Sequence, residues 1–312
     1  MEDKEAKVDC GYLRDVVQYV KCDDDIDKWM VGIVSAADLI GKVNEQDLAV
    51  WALPLARQLV HLQDVFEQPE FVPALCAALV VLMERSEEAS EYIIRFMSDR
   101  DCSLSRRVLL LECLRQTVHR LNELPAPARE KEHTVSRPSG TVVWTSSRLS
   151  LASSHGMTRW MQRHSAMLAQ LLDIGLHGDP RRVILRDTLT LRAYITTLAD
   201  MLALSKNAPD LWQLCRGFVD MLMPLRYHPS LEVIEIVLVG FTAVASSLNA
   251  NAHADFLGYV RPIHDWLTGL FDEPMAARLQ PQIVALGAAL RAFSEKAEDS
   301  LHRMLDRLDV ES

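Results

Sequence analysis

Residues 224–248 read PLRYHPSLEVIEIVLVGFTAVASSL, a stretch whose apolar residues leave almost no face for water. One set recurs at three- and four-residue steps, as one side of an α-helix does: Leu231, Ile234, Leu238, Phe241, Ala245 and Leu248. A second set fills much of the remaining circumference: Val233, Ile236, Val237, Val239 and Val244. A helix that is apolar nearly all round belongs inside a layer of other helices. The pattern therefore predicts a central, largely buried helix.

The start of this helix is also marked in the sequence. Pro229 suits a first-turn position that needs no backbone N–H, and Ser230 can act as the N-cap. Glu232 and Glu235 place negative charge near the positive end of the helix dipole. A strand is the alternative for so many β-branched residues, but the run is too long and has no internal turn residues. We therefore expect a helix over 230–248.

Apolar periodicity predicts further helices on both sides of this one. Those of the first half are expected at 12–20, 26–40, 46–63 with a kink at Pro54, 71–84, 87–97 and 103–121. In the last of these, the predicted buried stripe is Leu104, Val108, Leu111, Leu114, Val118 and Leu121, with Ser103 as the cap. Those of the second half are expected at 157–176, 183–204, 210–222, 254–270, 275–293 and 295–308.

Consecutive helices joined by short turns, without strand patterns, predict an all-α fold. We expect an irregular HEAT-like α-solenoid of antiparallel helix pairs, because no strict repeat period is present. The helical pattern fails from 124 to 156, where Pro, Gly, Ser and charge dominate. The predicted organisation is a first helical-repeat half at 1–123, a flexible basic, Ser- and Pro-rich loop at 124–156, and a second half at 157–312. The two halves are expected to form one continuous solenoid.

Composition narrows the class of function. The formal net charge of −10 argues against a general nucleic-acid binder, which usually carries a basic balance. The longest apolar run, 75–83, is too short to span a membrane, and the charged start MEDKEAK does not resemble a signal peptide. The six cysteines form no C-x-x-C pair, which suits reduced thiols in cytosol or nucleus.

One segment carries a net positive charge, whereas the chain as a whole is negatively charged. From Arg129 to Arg186 there are nine basic and four acidic residues. The simpler interpretation is a solvated surface, and the more specific one is a basic strip that binds an acidic partner. Nucleic acid remains the alternative ligand for this strip, although aromatic residues are not interleaved with its arginines.

Sequence patterns typical of catalysis or cofactor binding were not found. Gly41-Lys42 lacks the spaced glycine of a phosphate-binding loop, and neither G-x-S-x-G nor H-E-x-x-H occurs. His61, His119, His164 and His264 lie in helical patterns without a metal ligand at matching spacing. We therefore expect no catalytic, cofactor-binding or metal-binding residues.

Four short motifs, in their order along the chain, resemble one family. They are YLRD at 12–15 with DDDID at 23–27 and KW at 28–29, SLSRR at 103–107, LRYH at 225–228, and DWL at 265–267 with Asp272-Glu273 and Arg278 after it. Together they resemble the C-terminal domain of the telomere length regulation protein family. The family's N-terminal helical domain has no counterpart here, so the resemblance implies a truncated or reduced member.

The resemblance also implies a function. Members of this family act in the TTT cochaperone complex, which receives phosphatidylinositol-3-kinase-related kinases and passes them to the ninety-kilodalton heat-shock chaperone, Hsp90. It implies a non-enzymatic adaptor with three kinds of partner: other TTT subunits, these kinases and the Hsp90 machinery. It further implies a cytoplasmic and nuclear location without membrane insertion. On this basis the clients include the mechanistic target of rapamycin and the DNA-damage kinases.

Five residues near helix starts are the candidate partner contacts: Arg106, Arg107, Arg226, Tyr227 and Trp266. Helix-start turns line one edge of a helical stack, and Arg, Tyr and Trp are frequent interface hot spots. Core packing is the alternative for Trp266, which has helical spacing to Ile263 and Leu270, and a position that merely flanks the core stripe is the alternative for Arg106 and Arg107. If the two arginines at 106 and 107 bind a partner, reversing their charge should remove that partner and leave folding intact.

The first testable prediction concerns residues 124–156. Because this segment carries neither apolar periodicity nor an uninterrupted helical stretch, limited proteolysis should cut there before it cuts elsewhere. Mass spectrometry of the first fragments identifies the site. Early cleavage at other positions, with this segment intact, would contradict the prediction.

Overall fold

The computed structural model describes residues 10–22, 24–125, 158–176, 187–206, 208–249 and 254–311. Within these ranges the chain forms twelve α-helices: α1 (Leu13–Tyr19), α2 (Ile26–Lys42), α3 (Glu45–His61), α4 (Phe71–Arg85), α5 (Glu87–Phe96), α6 (Leu104–Glu123), α7 (Arg159–Leu176), α8 (Thr188–Ala203), α9 (Leu211–Leu225), α10 (Leu231–Ser247), α11 (Leu257–Phe271) and α12 (Gln280–Glu311). Short 3-10 helices precede α11 at Ala254–Phe256 and α12 at Pro274–Leu279. The predicted all-α solenoid is confirmed.

The helices stack in two layers. The even-numbered helices form one layer, in which each of α2 to α12 packs on the next even-numbered helix. The odd-numbered helices α1 to α9 form the other, which α11 joins through contacts of Tyr259 with Trp212. Each helix also packs on its chain neighbour across the layers, as the pairs α1 with α2 and α9 with α10 illustrate. The result is an α-solenoid built from six helix pairs, with the core between its layers.

Helices within one layer run parallel. Between α4 and α6, Cys76 contacts Cys113, and one turn later Val80 accepts a hydrogen bond from Thr117. Parallel stacking brings the C-terminal ends of odd-numbered helices and the N-terminal ends of even-numbered helices to one side of the solenoid, here called the first edge. The opposite helix ends form the second edge. Loops and helix ends therefore fall into two rows along the molecule.

Helix α10 occupies the central position that its sequence predicts. Its buried residues are Val233, Ile234, Val237, Leu238, Gly240, Phe241, Val244, Ala245 and Ser247. A β-carbon on Gly240 would lie 2.8 Å from Leu222 of α9, so the glycine permits a close approach of two helices. The helix is not buried all round, since the Val239 side chain is 38% exposed. Helix α8 contributes a buried face of similar extent.

The start of α10 differs from the prediction. Ser230 is the N-cap residue, but its side chain makes no capping hydrogen bond. Instead its backbone N–H donates to Nδ1 of His228 at 3.1 Å. Pro229 lies before the helix rather than in its first turn, and Glu232 does lie in the first turn. His228 thus accepts the backbone N–H of the N-cap residue, and the expected hydroxyl cap is not formed.

Two further predictions about the helices were wrong. Of the predicted buried stripe of α6, Leu104 is 43% exposed and Val108 is only half-buried, and the buried face begins at Arg107. The two helices expected at 275–293 and 295–308 are replaced by the 3-10 helix and the continuous α12. The region 126–157 lies outside the described residues, so the predicted loop and the division into halves stay predictions.

Side-chain caps mark several helix starts, as their sequences indicate. Ser103 accepts from the backbone N–H of Arg106 at the start of α6, which confirms its predicted role. Asp25 does the same for α2 through Lys28. Such caps satisfy backbone donors that have no partner within the helix. They help to place the helix starts in register along each edge.

Burial of α10 leads to a prediction about stability. Replacing Phe241, which is fully buried, with Ala should lower the free energy of unfolding by about 2–5 kcal/mol, because lost burial and a cavity both contribute. The control is Val239→Ala on the exposed side of the same helix, expected to cost less than about 1 kcal/mol. Chemical denaturation measures both values. Equal losses for the two variants would show that α10 is peripheral.

Candidate partner-binding surface

The sequence places two arginines at the start of α6, and the structure uses both inside the fold. Arg107 is buried, with Nε donating to the Met97 carbonyl at 2.9 Å and Nη2 to the Asp99 carbonyl at 2.6 Å. Arg106 donates from Nη2 to the carbonyl of Leu62. These acceptors follow the ends of α5 and α3, where backbone carbonyls lack partners within the helix. Reversing both charges would therefore destabilise the chain rather than selectively remove a partner.

Arg226, at the end of α9, also binds backbone oxygens. Its Nε donates to the Met223 carbonyl and its Nη1 to the Pro262 carbonyl of α11, both at 2.9 Å. The same guanidinium lies 5.3 Å from the ring centre of Tyr227, within the range of a cation–π contact. Tyr227 itself is 74% exposed. Arg226 thus holds an exposed aromatic ring in place on the first edge.

Trp266 lies one turn after Pro262 on α11. Its ring is half-buried and meets Phe241 of α10 edge-on, with ring centres 6.1 Å apart. Core packing therefore accounts for part of this side chain. The structure brings Arg226, Tyr227 and the helix that carries Trp266 together at one end of the first edge, and it places Arg106 and Arg107 two helix pairs away.

Arginines bind helix ends at the second edge as well. Arg85, the last residue of α4, reaches the carbonyls of Ile40, Gly41 and Val43 at the end of α2, at 2.5–3.2 Å. One helix pair further along, the buried Arg163 of α7 performs the same role for the end of α4. Sequence reasoning did not identify either residue, because their acceptors are distant along the chain.

Arg163 joins three helices. Its Nη1 donates to the carbonyls of Met83 and Glu84 in the last turn of α4, at 2.9 and 3.0 Å. Its Nη2 donates to the hydroxyl of Ser90 in α5 at 2.8 Å. Burial is the main cause that lowers the pKa of Arg163, although Glu87 at 3.6 Å favours the charged form. The side chain thus belongs to the packing between helix pairs.

In addition to their packing, α8 and α10 are joined by an ion pair between side chains. HEAT-type helices usually place arginine soon after the turn, whereas the segment at 233–235 reads VIE. Here Arg192 of α8 pairs with Glu232 of α10 at 3.1 Å. A charge contact between these two helices is therefore present, with the acidic partner on α10. Both side chains are partly exposed, so its contribution to stability is small.

A groove opens near the start of the described chain. It has a volume of about 640 Å³ and lies between the start of α1, the end of α2 and the start of α3. Tyr12, 73% exposed, and Trp51 supply its aromatic surface, while Arg14, Lys42 and Asp47 supply charge. Lys42 is paired with Asp38 at 2.6 Å. This groove is a second exposed aromatic surface, at the opposite end of the solenoid from Tyr227.

The described part of the chain supports a structural role for His164. It is buried, with Nδ1 2.9 Å from the Met161 carbonyl and Nε2 2.8 Å from the Asp210 carboxylate. Among the described residues, no group of His, Cys, Asp and Glu is placed to hold a metal ion. Within the same ranges, no helix is both long enough and apolar enough to cross a membrane.

The basic segment at 129–186 lies largely outside the described residues. Only two of its nine basic residues, Arg159 and Arg163, fall within them. Arg163 is buried against the end of α4, and Arg159 is half-buried. Neither of these two arginines supports a nucleic-acid surface. The hypothesis of a docking strip therefore rests on sequence alone.

Comparison with known protein families gives a match for the first part of the chain. Residues 10–118 match the profile of the family described as telomere length regulation protein. The matched segment runs from just before α1 almost to the end of α6, and it includes the YLRD and SLSRR motifs. The resemblance inferred from those motifs is confirmed over this segment. The LRYH and DWL motifs lie beyond it.

Two solved structures are similar to this chain along most of its length. One is an engineered protein from a structural genomics programme, with 12% identity, coverage of 90% of this chain and 97% of that one, and a TM-score of 0.40. The other is a designed armadillo repeat protein, with 12% identity, coverage of 88% of this chain and 99% of that one, and a TM-score of 0.40. No curated protein matches the chain significantly.

The buried arginines lead to a prediction. Replacing Arg163 with Met should lower the free energy of unfolding by about 1–3 kcal/mol, because two carbonyls and a hydroxyl lose their donor in a buried place. The control is Arg95→Met, since Arg95 is exposed and pairs with Glu91 of its own helix. That change should cost less than about 1 kcal/mol. Denaturant titration measures both, and similar values for the two variants would contradict the structural role of Arg163.

Proposed function

We propose that this chain is a non-enzymatic scaffold that binds other proteins along its helical edges. The observation that carries the proposal is the continuous two-layer stack, in which the segment matching the telomere length regulation family is the first half. Stacked helix pairs present extended rows of helix ends and turns, which suits the binding of large partners. Catalysis is not needed for such a role.

The finer form of the proposal follows the family. We infer that the chain acts as a subunit of a TTT-type cochaperone complex, which holds phosphatidylinositol-3-kinase-related kinases and links them to the Hsp90 chaperone. Binding rather than chemistry would then be the mechanism, with one helical stack holding another while the client matures. The match at residues 10–118 supports this proposal, because it is to the family from which the role is inferred.

The surface that we propose for the partner is the part of the first edge around Tyr227. The ring is exposed, and its motion is restrained by the cation–π contact with Arg226, which is itself bound to the carbonyl of Pro262. A side chain already held in one conformation loses little entropy when a partner covers it. Tyrosine also combines a large apolar ring with a hydroxyl and is common among interface hot spots.

Affinity capture followed by mass spectrometry tests the function. The tagged chain should recover a large kinase of the phosphatidylinositol-3-kinase-related class together with chaperone subunits. Binding to a bare oligonucleotide, falling steeply as salt rises, is the result expected from the alternative function. Recovery of nucleic-acid binding without any kinase or chaperone partner would overturn the scaffold proposal.

The Tyr227 surface leads to a prediction about binding. Tyr227→Ala should reduce recovery of the kinase-containing complex at least about tenfold, the change expected when a hot spot of more than about 1.4 kcal/mol is lost. The thermal midpoint should not change, because the ring is exposed. Quantitative co-purification measures the recovery.

The matched control for this experiment is Tyr12→Ala, because Tyr12 is equally exposed but lies beside the groove at the other end of the solenoid. Recovery with this variant should equal that of the unmodified chain. If Tyr12→Ala abolishes recovery and Tyr227→Ala does not, the partner occupies the groove, and the assignment of the first edge is wrong.

A further inference from the structure

Two cysteines that are far apart in sequence meet between α4 and α6. The Sγ of Cys113 donates to the Sγ of Cys76, with the two sulfurs 3.1 Å apart. Cys76 is half-buried, and its own thiol points toward the amide oxygen of Gln116 at 3.7 Å. Cys113 is fully buried. A small molecule can therefore reach the half-buried Cys76, whereas Cys113 is enclosed by the protein.

The backbones of α4 and α6 approach closely at this place. One turn after the two cysteines, the hydroxyl of Thr117 lies 3.5 Å from the backbone carbonyl of Val80 on the facing helix. A side chain as short as threonine can reach the opposite backbone only where helices pack tightly. A disulfide needs its two sulfurs at about 2.0 Å, which requires an approach of roughly 1 Å and rotation about the side-chain torsions.

From this geometry we propose that Cys76 and Cys113 are a modification site, which forms a reversible intrachain disulfide in the presence of a hydroperoxide. Half-buried Cys76 is the sulfur that the oxidant reaches, and buried Cys113 is the resolving sulfur. The bond would join neighbouring helices of the even-numbered layer that belong to different helix pairs. The proposal does not depend on the proposed scaffold function.

The chemistry balances with hydrogen peroxide as the oxidant. The sulfur of Cys76, as its thiolate, attacks one peroxide oxygen, the O–O bond breaks, and the departing hydroxide takes up the thiol proton as water. Cys76 is then a sulfenic acid. The sulfur of Cys113 attacks the sulfenic sulfur, the S–O bond breaks, and the hydroxide leaves as a second water with the Cys113 proton. Two thiols lose two electrons, and the peroxide gains them.

The direct contact also orders the two steps. The hydrogen bond donated by Cys113 lowers the pKa of Cys76, because it stabilises negative charge on the accepting sulfur. The donated bond, together with burial, raises the pKa of Cys113. The thiolate is the reactive form of cysteine, so attack on the peroxide falls to Cys76. Cys22 and Cys102 instead point toward backbone oxygens, of Gln18 and Ser103.

The disulfide would constrain the solenoid where the family match lies. It would close a loop between positions 37 residues apart and fix the spacing of α4 and α6. Because each repeat of a solenoid contacts only its neighbours, a covalent link between two of them limits bending at that point. The oxidised and reduced chains would differ in the freedom of the first half to flex.

The test counts thiols in the purified full chain. After treatment with an equimolar amount of hydrogen peroxide, alkylation under denaturing conditions should label two fewer cysteines than the six of the reduced chain. Dithiothreitol should restore all six, and peptide mapping should find Cys76 linked to Cys113. If all six remain free, if the link joins other cysteines, or if Cys76 is oxidised without a link, the proposal is overturned.

Serine variants separate the two roles. With Cys113→Ser, no link should form, and Cys76 should be trapped as a sulfenic acid by dimedone. With Cys76→Ser, peroxide should leave the number of free thiols unchanged. The matched control is Cys22→Ser, since Cys22 is also half-buried but its sulfur faces a backbone oxygen. That variant should still lose two thiols, and failure to do so would assign the oxidation to Cys22.

Discussion

Arginine side chains that bind the carbonyl ends of neighbouring helices are the interaction on which this solenoid depends. Arg85 binds the end of α2, Arg163 the end of α4, and Arg107 the end of α5. The last carbonyls of any α-helix lack partners within the helix, and they carry the negative end of its dipole. A guanidinium supplies several donors and a positive charge at once. Each contact therefore satisfies a helix end and joins it to another helix, which fixes how the helices stack.

Because these arginines bind carbonyls within the fold, their placement also determines which side chains stay exposed for binding partners. Because Arg107 and Arg163 are buried in the fold, they contribute little charge to the surface, and the chain as a whole is acidic. The exposed groups that stand out are aromatic and lie near the two ends of the solenoid, at Tyr227 and in the groove beside Tyr12. Arg226 has both roles, since it binds a backbone carbonyl and contacts the Tyr227 ring. A continuous helical stack with a few exposed aromatic side chains is suited to a scaffold that holds large proteins.

Sequence periodicity predicted the position of α10 and the bounds of most helices well, because apolar residues at helical spacing report burial directly. It failed where the answer depends on a neighbouring helix. Leu104 has the right spacing for the core but is the first residue of α6 and is 43% exposed. The arginines of α6 looked like surface residues because their acceptors, at Leu62 and Met97, are recognisable only in the folded chain. The approach of Cys76 to Cys113 likewise follows from the register of α4 and α6, which local patterns do not report.

The central claim is that one edge of the solenoid binds the partner. Hydrogen–deuterium exchange of the chain, free and in its captured kinase-containing complex, tests this most directly because it reports on both edges at once. The account predicts that exchange slows on binding in peptides from 223–231 and 257–271, where Tyr227 and α11 lie. Peptides from 40–45, at the second edge, should be unchanged. Slower exchange confined to the second edge, or no difference anywhere between the free and bound chain, would contradict the account.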